Sequence, residues 1–337
     1  MIIEARAHPR AGLIGNPSDG YFGKTISFTF SNFAASVTLY ETPELEIQPN
    51  EKDLSRFSSI HDLARDVRFH GYYGGIRLLK AAVKRFHDHC LAQGVHLHDR
   101  NFTLRYRSDI PQQVGLAGSS AIITACFRAL CAYYGVSITK PVLANLILSV
   151  ENKELGIPAG LQDRVAQVHE GLVHMDFSRA LMEQQGHGNY AYLPLERLPP
   201  VYIAYRAELS EGTEVFHNNI RERWNRGEAA VVEAMTHWAE LTDQVRDLLL
   251  ANRGAEIAPL LNEGFDQRRR IYQIGEGNLR MIETARACGA SAAFTGSGGA
   301  IAGVYTDEAM FQRLQQALQA IGCPTFKPRF VPPSPEV

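Results

Sequence analysis

Cysteine is scarce in this 337-residue chain. There are five, Cys90, Cys126, Cys131, Cys288 and Cys323, an odd number with no C-x-x-C spacing. Neither a disulfide scaffold nor a thiolate zinc site is expected, and reduced thiols in a cytosolic protein are the simplest reading. Long apolar runs are missing too. No stretch approaches the ~18 residues of a membrane-spanning helix. The most apolar windows, 121–130 and 142–150, have the length of core helices. The first ten residues, Met1-Ile-Ile-Glu-Ala-Arg-Ala-His-Pro-Arg10, carry charge early and lack the apolar centre of a signal peptide, which sets a cytoplasmic expectation. An excess of one charge is also lacking: 34 Lys plus Arg against 36 Asp plus Glu leave −2. A protein that coats nucleic acid over a broad face would be far more basic. Neither nucleic acid nor membrane is therefore expected as a partner.

What is present is an ordinary soluble balance, 45% hydrophobic and 21% charged. That supplies a substantial core without disulfide or metal support. At about 150 residues per domain the length predicts two domains. Alternation predicts strands over 2–8, 25–40, 102–107, 172–177 and 201–205, with short strands at 291–294 and 300–305. Helical spacing predicts helices over 76–91, 119–133, 140–154, 161–169, 214–225, 228–251, 256–272, 278–288 and 307–320. The first of these carries a basic face of Arg77, Lys80, Lys84 and Arg85. A loop of glycine and small polar residues joins the first two strands. Residues 179–199 lack a strong pattern and end in Leu-Pro-Pro, so the domain break is expected there. The tail from Pro324 holds five prolines in 14 residues, which predicts an extended or frayed end. The mixture of elements reads as α+β.

Chemistry concentrates in two glycine-rich turns and two acids. Gly115-Leu-Ala-Gly-Ser-Ser120 follows a strand and opens an apolar helix. Gly115 and Gly118 let the backbone bend and approach a ligand. Free N–H groups and the dipole at a helix start favour phosphate, and a serine hydroxyl there can meet magnesium. Plain serine capping of the helix is the competing reading. Gly20-Tyr-Phe-Gly23-Lys24-Thr25 imitates a P-loop, but that pattern requires glycine where Ser18 stands, and a strand pattern follows it. No G-x-G-x-x-G follows an early strand, which argues against a Rossmann domain.

Glu151 ends an apolar helical pattern, and Asp163 falls in the first turn of the next helix, after Pro158 and Gly160. A buried acid needs a cation or metal. A first-turn acid either complements the helix dipole or serves a substrate hydroxyl. Phe294-Thr-Gly296-Ser-Gly298-Gly299-Ala300 reads as a glycine hairpin, or as a loop approaching phosphate from a second domain across a cleft. His169 and His174 have no ligand cluster around them and read as structural.

Pro9-Arg10-Ala-Gly-Leu-Ile-Gly15-Asn-Pro-Ser-Asp19, Pro111 through Ala121 and Thr295-Gly-Ser-Gly-Gly-Ala300 stand in order along the chain. Together they resemble the three motifs of the GHMP kinase family. The resemblance runs the whole length. It implies an N-terminal ribosomal-protein-S5-domain-2-like, ATP-binding domain over 1–190. A C-terminal ferredoxin-like α/β domain would occupy 191–337, with the active site between the two. It also implies ATP and Mg2+ as cofactors, and the family resemblance leaves a monomer or a homodimer equally open. The longer segments Gly71-Tyr-Tyr-Gly-Gly75 and Ala159-Gly-Leu-Gln-Asp-Arg-Val-Ala-Gln167 resemble members that phosphorylate the anomeric hydroxyl of D-glucuronate. Galacturonate, arabinose and a neutral hexose are the alternative acceptors.

By the same resemblance, Asp163 is the catalytic aspartate and Arg10 a cation for transferred charge. Gly115, Leu116, Ala117, Gly118, Ser119 and Ser120 hold the nucleotide phosphates, with Ser120 and Glu151 at the metal. Asp19 accepts from sugar hydroxyls, and Gly298 faces the substrate. Arg164, which adjoins Asp163, is a candidate for the uronate carboxylate, with pairing to Asp163 or to a phosphate as equal alternatives. The run Arg268, Arg269 and Arg270 can send at most one or two side chains toward the cleft. Tyr21, Phe22, Tyr72 and Tyr73 could line the sugar or adenine site. Departures from the pattern are Asn16-Pro17 in place of Glu-His, and a phosphate loop longer by one residue, which leaves its N–H contacts open.

Overall fold

The computed structural model describes residues 1–50, 53, 59, 74–206 and 220–335. Tyr72 and Tyr73 lie outside the described residues. Twelve strands form three four-stranded sheets among these residues. One sheet has the order β1 (Ile2–Ala7), β4 (Ala35–Glu41), β6 (Phe102–Ser108), β5 (Glu46–Gln48), with β5 and β6 parallel and the other pairs antiparallel. A second, all antiparallel, has β2 (Arg10–Ile14), β3 (Lys24–Thr29), β7 (Leu172–Asp176) and β8 (Asn189–Leu193). The third has β10 (Ala293–Phe294), β11 (Ala300–Val304), β9 (Val201–Tyr205) and β12 (Thr325–Phe326).

Helices cover these sheets where their apolar faces demand it. In chain order they are α1 (Gly75–Ala92), α2 (Gly118–Tyr134), α3 (Lys140–Ser149), α4 (Gln162–His169), α5 (Arg179–Gln185), α6 (Ala229–Leu250), α7 (Ala258–Ile271), α8 (Glu276–Ala287) and α9 (Glu308–Gln319). Helix α2 is the apolar one; it packs on β1 and β4 and buries Ile123, Phe127 and Leu130. A smaller core of Tyr202, Phe265, Met281, Phe311 and Leu314 sits under the third sheet. The main core runs on from the first two sheets to Trp238, Leu261 and Val304. None of the described helices is long and apolar enough to cross a membrane.

Four sequence expectations change. The glycine-rich loop after β1 contains a strand, β2, buried along its whole length. It touches β10, β11 and α7 as well as its own sheet, so it is covered all round and shows no alternation. The featureless stretch 179–199 holds α5 and β8, and the expected break at 190/191 falls inside β8. The helix expected over 140–154 gives way to a π-helical turn at Val150–Glu154, which redirects Glu151. Such turns are frequent at functional sites.

The proline-rich tail is extended and tied down. Phe330 bridges Phe30, Val331 N–H donates to Thr29 at 3.1 Å, and Ser334 N–H donates to the His169 carbonyl at 2.9 Å. His169 and His174, read from the sequence as structural, are both buried. His169 faces the Tyr192 hydroxyl at 3.2 Å, and burial pulls its pKa down to about 4. His174 lies 3.4 Å from Asp243. No cluster of three or more His, Cys, Asp or Glu able to hold a metal occurs among the described residues.

Candidate active site

The three motif segments meet at one guanidinium. Arg10, on β2 and 4% exposed, donates from Nε to Asp163 Oδ1 at 2.8 Å, and its Nη2 lies 2.6 Å from the same oxygen. Its Nη1 donates to the carbonyls of Gly115 at 2.6 Å and Thr295 at 2.8 Å. One side chain therefore ties β2, the phosphate loop, the acid on α4 and the late glycine turn. Arg10 was expected to offer charge to a transferred group. Here its donors turn to Asp163 and two carbonyls.

Backbone packs directly on backbone between the two glycine turns. A Cβ on Gly115 would lie 3.0 Å from the Gly298 carbonyl, and Gly115 has φ +73°. A Cβ on Gly296 would lie 2.7 Å from the Gly115 carbonyl. Side chains at either position would push the turns apart. The Gly298 backbone thus abuts the phosphate loop, and Asn278 Oδ1 fixes its neighbour by accepting from Gly299 N–H at 3.0 Å.

The extra residue in the phosphate loop has a visible consequence. Ala117 adopts the left-handed conformation, φ 61° and ψ 43°, which costs a non-glycine residue about 1 kcal/mol. It is held there by its own carbonyl, which accepts from Gln167 Nε2 at 2.8 Å, Ser120 Oγ at 3.1 Å and Ala121 N–H at 3.1 Å. Strain persists where the surroundings over-determine it. Helix α2 then begins at Gly118, and Ser119 and Ser120 occupy its first turn, where unpaired N–H groups accumulate. Leu116 is buried as the loop's anchor.

The two serines point differently. Ser120 is fully buried, and its hydroxyl closes on the Ala117 carbonyl. Ser119 is the one that reaches Glu151, donating to Oε1 at 2.9 Å. This corrects the expectation of Ser120 beside Glu151. Successive helix residues are turned by about 100° from one another, so only one of the two hydroxyls faces the acid.

Glu151 is 3% exposed and ion-paired through Oε2 with Arg164 Nη2. Arg164 Nη1 donates to the Gly160 carbonyl at 2.8 Å and sits 3.5 Å from Asp163 Oδ2. Arg164 is itself 3% exposed. It therefore links the two acids from behind and does not open toward a substrate, which corrects the expectation of a substrate-facing group. Asp163 is the more open acid, with its side chain 22% exposed.

Asp19, on the short turn Ser18–Tyr21, completes the cleft. Its Oδ2 accepts from Gln162 N–H at 3.2 Å, and a Cβ on Gly160 would overlap that oxygen. Burial and then the charge of Asp163 raise its pKa to about 6, against the Gln162 N–H and Arg10. A neighbouring negative charge disfavours the ionised form of Asp19 in this way. Asn16, where the family motif carries another residue, bridges the two halves of the chain. Its Nδ2 donates to Gln162 Oε1 at 3.1 Å, and its Oδ1 accepts from Arg268 Nη2 at 2.7 Å. Arg268 also donates to the Gly296 carbonyl at 2.7 Å, while Arg269 and Arg270 are exposed. One residue of the basic run thus enters the cleft region, as helical geometry requires. Asn16, Gln162 and Thr295 carry no role in the sequence reading because their hydrogen bonds exist only in the folded network.

The arrangement offers a turn of N–H groups, a hydroxyl–carboxylate pair and a second carboxylate held open beside it. Those are the parts phosphoryl transfer uses. A family profile described as GHMP kinases N terminal domain matches residues 77–171. The chain is similar to probable glucuronokinase 2 of Arabidopsis thaliana, 45% identical over 307 residues, covering 89% of this chain and 83% of the relative. It is also similar to glucuronokinase 1 of the same plant, 44% identical over 89% of this chain and 84% of that one. Its fold matches the solved structure of a Lactococcus lactis galactokinase complexed with galactose, with TM-score 0.75, 14% identity and coverage of 100% and 95%. The chain belongs to the GHMP kinase family.

Proposed function

We propose that this protein transfers the γ-phosphoryl group of ATP to the anomeric hydroxyl of D-glucuronate, giving glucuronate 1-phosphate. The observation that carries this reading is the 44–45% identity to two glucuronokinases over 89% of the chain. The geometry supports this reading with a residue for each part of the reaction. The N–H groups of residues 115–120 cradle phosphates. Asp163 faces the acceptor hydroxyl, to orient it and take its proton. Asp19 accepts from ring hydroxyls. Arg10 and Arg164 are positioning residues that fix the two acids.

Magnesium fits the donor set: the Ser119 hydroxyl and the buried Glu151 carboxylate are hard oxygen donors, 2.9 Å apart beside the phosphate loop. When bound, the ion neutralises charge on the nucleotide phosphates. Ser119→Ala is expected to raise the Mg2+ concentration for half-maximal turnover by about tenfold, the lower end for losing one partner at a metal site. Ser120→Ala should leave it within about twofold, because its hydroxyl serves the loop backbone. A magnesium titration of both variants decides between the serines.

The Asp19 pKa near 6 gives a second expectation. A raised carboxyl is ionised above its pKa and protonated as pH falls through it. One unit below pH 6 about a tenth of Asp19 remains ionised, so KM for the sugar should rise about tenfold by pH 5 while KM for ATP moves less. Asp19→Asn should remove that inflection from the sugar KM. The function itself is tested by ATP-dependent phosphorylation of glucuronate, galacturonate, arabinose and neutral hexoses, with the product position read by phosphorus NMR. A 1-phosphate formed preferentially from glucuronate is the expected result. Preferential turnover of another sugar would replace the reading.

A further inference from the structure

A uronic acid differs from its parent hexose by one carboxylate. A kinase selective for it needs a cation that faces the sugar and is not already neutralised. Among the described residues, four arginines approach the cleft, and three are occupied. Arg10 holds Asp163 and two carbonyls. Arg164 is buried between Glu151 and Asp163. Arg268 is buried, with its two terminal nitrogens on the Gly296 carbonyl and Asn16.

Arg221 is different. It lies in the helical turn at 220–225 and is exposed. Its guanidinium sits over the Tyr21 ring, 4.2 Å from the centroid, and among the described residues no carboxylate pairs with it. A Cβ on Gly20 would meet Arg221 Nη2 at 3.1 Å as its one near neighbour. The cation thus borders the turn that carries Asp19, one residue away in sequence. An aromatic face under a guanidinium pre-orients it with its donors outward.

A second, independent observation lies in the same place. Tyr21 is 3% exposed, and its hydroxyl meets no hydrogen-bond partner among the described residues. Burial raises the pKa of that hydroxyl, while the charges of Arg221 and Asp19 act on it in opposite senses. Buried donors without a partner are few in native proteins and call for an explanation such as a missing ligand. Trp224, 5.2 Å from the Tyr21 ring, holds the ring from the other element. A cation, a spare donor and a sugar-binding carboxylate therefore adjoin on one turn.

We propose that Arg221, seated on Tyr21, binds the carboxylate of the uronic acid and selects acid sugars over neutral ones. The inference rests on the glucuronate-kinase reading and adds to it the residue that reads the acid group. Arg179 is the natural control. It stacks on Phe22, the next residue along, at 4.1 Å, but is already paired with Glu183 at 3.4 Å.

The test compares glucuronate with glucuronamide, its neutral amide, by steady-state kinetics. Wild type is measured first. Failure to phosphorylate glucuronate there overturns the parent reading, whatever the variants do. Arg221→Met is expected to raise KM for glucuronate by about 10- to 100-fold, the size of one charge-assisted contact. Its KM for ATP should not move, kcat should change little, and the preference for acid over amide should vanish. Arg221→Glu should turn that preference toward the amide, a reversal that misfolding cannot produce. Arg179→Ala should behave as wild type. Wild-type phosphorylation of glucuronate together with an unchanged acid-to-amide preference in Arg221→Met overturns the assignment of Arg221 and leaves the parent reading standing. A loss of the preference in Arg179→Ala would move the carboxylate site to Phe22 and likewise overturn it.

Discussion

Replacing Asp163 by Asn lowers kcat by about three orders of magnitude, within the range of a positioned proton acceptor, while the affinity for ATP stays near that of the wild type. The substitution keeps the shape of the side chain, so packing in the first turn of α4 is preserved. What changes is charge and acceptor capacity. In the wild type one carboxylate oxygen is held by two nitrogens of Arg10, at 2.8 and 2.6 Å. The amide oxygen takes that place, because the guanidinium only donates. The NH2 group is then left toward Arg164 and the acceptor site, where it cannot receive a proton. Three decades correspond to about 4 kcal/mol of transition-state stabilisation. The loop proposed to bind the nucleotide is a different element, the one before α2, so a fluorescent-nucleotide titration should be nearly unchanged. Single-turnover phosphoryl transfer reads the chemical step. Transfer at the wild-type rate would remove Asp163 from the reaction.

The same comparison shows what the sequence could and could not reveal. The two glycine turns were legible because close backbone contact leaves a residue-level mark: no side chain fits at Gly115 or Gly296. Glu151 was legible because an acid after an apolar pattern demands a partner, and Asp163 because it stands in the first turn of a helix within a segment that resembles the family. The partners themselves were not. Arg164 adjoins Asp163 in sequence, which suggested an outward group, yet helical rotation carries it inward to Glu151. Ser119 and Ser120 are identical in type, and only their placement around the helix decides which meets Glu151. Strand β2 was hidden because burial on every side removes the alternation that marks a strand. Arg221 carries no signal in the sequence at all. Its meaning comes from Tyr21, 200 positions earlier, and from the absence of an acid beside it among the described residues.

Arg10 is where the fold and the proposed chemistry are hardest to separate, and its substitution has the second large effect. Arg10→Met leaves the Gly115 carbonyl without this donor and deprives Asp163 of its closest cation, in a place almost closed to water. Breaking a buried charged pair by removing one partner costs about 3–5 kcal/mol, so the urea midpoint should fall markedly. Arg10→Lys keeps the charge but not the fork. A single ammonium must then serve Asp163, Gly115 and Thr295 from one atom, and those acceptors are now reached by three different nitrogens. We expect the lysine variant to retain most of its stability and lose kcat by about 100-fold, the scale of a misplacement near 1 Å. If Arg10 acts by holding Asp163, the two losses are not independent. In an Asp163→Asn background, Arg10→Lys should change kcat by no more than about threefold, because the group it positions is already disabled. A full 100-fold loss on top of Asp163→Asn would mean that Arg10 touches the transferred phosphoryl group directly. The double-mutant cycle therefore separates a positioning cation from a catalytic one, with the urea midpoint of each variant as the control for folding.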